Sequence, residues 1–79
     1  MNKDEFIKYV NQNNIDLDKY NIVVGEKSNT PYTIGCYVEN SNWILYEVGE
    51  RQNFSMLKRG NEQEIFQHLY YRVLARVSD

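Results

Sequence analysis

The stretch from Asn61 to Val77 constrains this chain most. Ile65, Phe66, Leu69, Tyr70, Val73 and Val77 recur at three- and four-residue spacing, which lays one apolar stripe along a helix. Asn61 is a favourable N-cap, and Glu64 three residues later completes a capping-box pattern. Arg72 and Arg76 sit near the end of this helix, where the dipole favours positive charge. A helix with one apolar stripe must bury it against another layer. In 79 residues there is material for one domain, so that layer has to come from the same short chain.

The preceding residues supply a sheet. Ile22-Val23-Val24 is β-branched and lies within a strand expected over Tyr20 to Val24. Tyr32 to Glu39 alternates, with Tyr32, Ile34, Cys36 and Val38 on one face and Thr33, Gly35, Tyr37 and Glu39 on the other. Asn40-Ser41-Asn42 and Gly49 to Gln52 carry turn residues. They set off two further strands, Trp43 to Val48 and Asn53 to Lys58, the latter with Phe54 and Met56 on one face. Gly60-Asn61 is expected to end the sheet. At the N-terminus, Asn2 and Glu5 form a second capping-box pattern, ahead of Phe6, Ile7 and Val10 on one helical face.

The expected fold is therefore α+β, a single domain over residues 1–79. It has a helix, a three- to four-stranded antiparallel meander and a C-terminal helix. Short connections favour antiparallel pairing. Both helices are expected on one sheet face, leaving the other partly open. Whether Tyr20 to Val24 joins the sheet is left open at this level.

Chemistry-bearing residues are few. His68 is the single histidine and lies beside the helical stripe. Cys36 is the single cysteine and alternates with Ile34 and Val38, which reads as a small buried hydrophobe. One cysteine allows no intrachain disulfide and suits a reducing compartment. Glu62 and Glu64 open the last helix, where capping and the dipole account for them. Zinc-ligand spacing, phosphate-binding loops, dinucleotide fingerprints and nucleophile elbows are missing. No catalytic, cofactor-binding or metal-binding residue is assigned, and a non-enzymatic role is expected.

Charge and hydropathy narrow the partners. The net charge of −2 does not suit a nucleic-acid binder. The basic grouping Lys58, Arg59, Arg72 and Arg76, with Tyr70 and Tyr71 nearby, reads first as a solvated helix face. Charged residues begin at Lys3, and no run approaches the roughly 20 apolar residues that span a bilayer. A cytoplasmic protein with no membrane partner is expected. Seven tyrosines either pad a small core or mark an interface, where tyrosine is enriched.

The run Trp43-Ile44-Leu45-Tyr46-Glu47-Val48-Gly49-Glu50-Arg51 leads into a short strand and an acidic-capped helix with a Tyr-Tyr-Arg-Val-Leu ending. Over residues 43–74 this pattern resembles small bacterial immunity proteins of polymorphic toxin systems. The resemblance implies a protein partner, a cognate toxin that the domain binds and inhibits. If that target is a basic nuclease, carboxylates would supply complementarity and fast association. The expected contact patch is then Tyr37, Glu39, Glu47, Glu50 and Arg51, with Trp43 either its anchor or a core residue of its strand. Two other functions stay open. One is a nucleic-acid-binding or regulatory module using Lys58, Arg59, Tyr71, Arg72 and Arg76. The other is a homo-oligomeric structural protein paired through a sheet edge.

Overall fold

A computed structural model describes residues 1–78. Both expected capping boxes form. In α1 (Lys3–Gln12) the Asn2 side chain accepts from the Glu5 N–H at 2.8 Å, and in α2 (Glu62–Val77) the Asn61 side chain accepts from the Glu64 N–H at 2.9 Å. Each pairing satisfies N-terminal donors that a helix cannot satisfy itself.

The two helices run side by side in the same direction. Phe6 meets Phe66 at a ring separation of 5.6 Å, and Tyr9 meets Tyr70 edge-on at 4.9 Å. At the start of the pair, the Lys3 N–H donates to the Glu62 carboxylate at 3.0 Å. Glu62 thus caps the neighbouring helix as well as suiting the dipole of its own.

Between the helices in sequence lie β1 (Ile22–Val24), β2 (Ile34–Glu39), β3 (Asn42–Val48) and β4 (Phe54–Gly60), arranged in that order across one sheet. β2, β3 and β4 form the expected antiparallel meander. Asn40 and Ser41, both with positive φ, make the two-residue β2–β3 turn, a geometry that matches strand twist. β1 does join the sheet, but parallel to β2, with Ile22 opposite Ile34. The intervening residues form a crossover loop in place of the usual helix. That loop passes over the sheet face opposite the helices, where the Tyr46 hydroxyl donates to the Glu26 carbonyl at 2.8 Å.

The helices pack on one sheet face. Phe6 and Val10 of α1, and Ile65, Phe66, Leu69 and Val73 of α2, bury against Ile22, Ile34, Cys36 and Leu45. Cys36 is fully buried here, and burial pushes its thiol up to about 12. At the far end of α2 the Arg76 guanidinium donates to the Tyr20 carbonyl at 2.7 Å and the Asn21 carbonyl at 3.3 Å. This ties the helix end to the entry of β1, and burial lowers the Arg76 pKa.

Three local expectations differ from the structure. Tyr32 precedes β2, is exposed and has a positive φ of 68°. Val38 is exposed beside the hairpin turn, while Trp43 opposite it takes the contact with Phe66. Gly60 is the last residue of β4, paired with Trp43, and the sheet ends only after it. The β3–β4 register also shifts, since Leu45 pairs with Lys58 but Tyr46 with Met56. Leu57 is the extra residue of this bulge and packs toward the helix-side core.

Candidate interaction surface

The sheet face opposite the helices is built from alternate residues of three strands. Tyr37 comes from β2, Ile44, Tyr46 and Val48 from β3, and these four form a second buried cluster. The register sets Met56 opposite Tyr46 and Phe54 opposite Val48, so both β4 residues share this face.

Tyr46 organises the layer. It has no exposed surface, stacks on Phe54 at 4.9 Å and 21°, and meets Tyr37 edge-on at 5.7 Å. Its ring reaches across β2 at Gly35. A Cβ on Gly35 would lie 2.8 Å from the Tyr46 hydroxyl and would also collide with the Val23 carbonyl, so only glycine fits. Burial pushes the Tyr46 phenol up to about 12, so it keeps its proton and donates to Glu26.

Lys27 in the crossover loop covers part of the layer. Its ammonium lies 5.1 Å from the Tyr37 ring centre and 5.6 Å from that of Phe54, within cation–π range. Beyond these contacts the surface opens. Phe54 is 43% exposed and Met56 is 54% exposed, both on a strand at the sheet edge. Lys27, Ser28, Asn29 and Phe54 line a hollow of about 320 Å³ beside them.

The six residues expected in one contact patch do not come together. Tyr37 and Glu39 lie on this open face, with the Tyr37 hydroxyl donating to the Glu39 carboxylate at 3.3 Å. Tyr37 is nearly buried by its neighbours. Trp43 and Glu47 fall on the helix side. Trp43 is half-buried with its ring 4.9 Å from Phe66, and Glu47 lies 3.8 Å from the Arg72 guanidinium. Glu50 and Arg51 stand exposed on the β3–β4 turn. Strand alternation separates Glu47 from Tyr37, because Tyr37 pairs with Ile44 and Glu47, three residues beyond Ile44, faces the other side.

Phe54, Met56 and Lys27 are the residues that sequence reasoning missed. The alternation of Phe54 and Met56 was visible, and pairing β4 against Tyr46 and Val48 would have joined them to the aromatic layer. Lys27 gave no signal, because its place depends on the parallel crossover. No group of metal-ligating side chains occurs among the described residues. His68 is exposed on α2, whereas Cys36 is buried in the core, so the two do not converge. Among the described residues no helix is long and apolar enough to cross a membrane. Compared with protein families, curated proteins and solved structures, the chain matches none.

Proposed function

We propose that this domain is a non-enzymatic protein-binding module that presents the β4 side of its open face to a partner. The observation that carries the proposal is the exposed Phe54–Met56 strip beside the buried cluster of Tyr37, Ile44, Tyr46 and Val48. Aromatic residues and methionine are enriched at interface cores. Phe54 is already held against Tyr46, so docking would cost little side-chain entropy.

The specific form we favour is an inhibitor that neutralises a cognate bacterial toxin, an immunity protein of the cytoplasm. Its support is the sequence resemblance over residues 43–74. A stoichiometric inhibitor needs a firm scaffold and a complementary patch, and no reacting groups. Because Glu47 is paired with Arg72 away from the open face, contact would be led by Phe54 and Met56 more than by carboxylates.

The nucleic-acid reading has less to work with. Arg76 is engaged by two backbone carbonyls and Arg72 by Glu47, which leaves Lys58 and Arg59 of the basic grouping. Pairing of two copies through β4 is opposed by the bulge at Leu57, since bulges interrupt the regular edge that strand addition needs.

Capture of protein partners from extract of the source cell tests the proposal. A single protein retained at equal stoichiometry, whose own activity falls on binding, supports it. Retention of nucleic acid alone, or self-association alone, contradicts it.

A further inference from the structure

We infer that the hollow between the crossover loop and Phe54 receives a carboxylate carried next to an apolar group. That is the chemistry of an acidic residue flanked by an aromatic or aliphatic one on a partner polypeptide. The inference rests on the protein-binding proposal and specifies what the partner brings.

The hollow measures about 320 Å³ and is lined by Lys27, Ser28, Asn29 and Phe54. It is a shallow depression open to solvent, able to seat one side chain against Phe54. Its wall is an aromatic ring, its one charge is an ammonium, and no acidic side chain lines it.

Lys27 is positioned but lacks a counter-charge. Two ring faces hold its ammonium on one side. Among the described residues the one ion pair is Arg72 with Glu47, so no carboxylate lies within ion-pair distance of Lys27. Lys27 is exposed, so the side of its ammonium away from the two rings is open to an incoming anion. Ser28 adds a donor. Its hydroxyl oxygen accepts from the Thr30 N–H at 3.1 Å, which leaves its own proton free for an incoming oxygen. Phe54 supplies apolar contact to whatever carries the carboxylate. An inorganic anion would forgo that contact, and a cationic ligand would meet Lys27 directly.

Phenylacetate and its neutral isostere phenylacetamide, titrated into the isotopically labelled domain and followed by amide chemical shifts, test the inference. Phenylacetate is expected to shift the amides of residues 27–29 and Phe54 saturably, with weak affinity on the order of millimolar for so small a ligand. Phenylacetamide is expected to bind about ten-fold more weakly or worse, and Lys27→Gln to remove the difference while preserving the spectrum elsewhere. Absence of saturable shifts at these amides, or equal binding of acid and amide, overturns the carboxylate site. Partner capture reads the protein-binding proposal separately, so that proposal stands or falls on its own result.

Discussion

The Tyr46 hydroxyl donates to the Glu26 carbonyl at 2.8 Å, joining the central strand to a loop twenty residues earlier in the chain. That contact fixes the crossover loop on the open face and so places Lys27 beside Phe54. Tyr46→Phe should therefore loosen the loop without dissolving the core. The expected loss is about 0.5–1.5 kcal/mol, the usual net value of one hydrogen bond. Urea unfolding measures the loss, and amide exchange over residues 25–30 should quicken while β3 stays protected.

Gly35→Ala should cost more than Tyr46→Phe. The new methyl would collide with the Val23 carbonyl and the Tyr46 phenol at once, and neither can withdraw without moving a strand. Overpacking of this kind costs about 1–3 kcal/mol or more. Pairing it with Tyr46→Phe in a double-mutant cycle should reveal coupling, because both changes act on the same contact.

Arg76→Ala should release β1. The guanidinium holds the Tyr20 and Asn21 carbonyls, where the backbone turns into the short parallel strand. A loss of about 1–2 kcal/mol is expected, toward the low side for a charged donor because the site is partly hydrated. Exchange at the β1 amides should rise first. Arg76→Lys should recover part of the loss, limited by its single-point geometry.

Stability should fall under alkaline conditions. Burial raises the Cys36 thiol from 9.0 to about 12 and the Tyr46 phenol from 10.0 to about 12. Both are held protonated in the fold, while the unfolded chain releases those protons at lower pH. The stabilisation is complete below about pH 9 and is lost as pH rises toward about 12. Urea midpoints across this range should decline, and Tyr46→Phe should flatten the slope. In the native state the Cys36 thiol should resist alkylation at neutral pH, because it is buried and protonated.

Much of this architecture was legible because its causes are local. Asn2 with Glu5 and Asn61 with Glu64 are three residues apart, so each cap can be read from a few letters. The alternation of Ile34 and Cys36 against Tyr37 sorted β2 correctly through its middle. The parallel pairing of β1 was not legible, because it depends on Tyr46 meeting Glu26 and Arg76 meeting Tyr20, contacts between distant residues. The candidate patch is divided between faces for a related reason. Tyr37 and Glu47 were grouped by chemistry, but register assigns them to opposite faces. The bulge at Leu57 likewise carries no single-residue signal, yet it sets Lys58 opposite Leu45 and Arg59 opposite Ile44, reversing the faces that unbroken alternation would give them.

The most direct test of the central claim is parallel partner capture with the wild-type domain and with a Phe54→Ser, Met56→Ser variant whose fold is verified by its amide spectrum. Both side chains are well exposed, so the variant should remain folded. One protein should be retained by the wild type at equal stoichiometry and lost, by about a hundred-fold in affinity or more, from the variant. Equal retention by both proteins would contradict the claim that the β4 side of the open face is the binding surface.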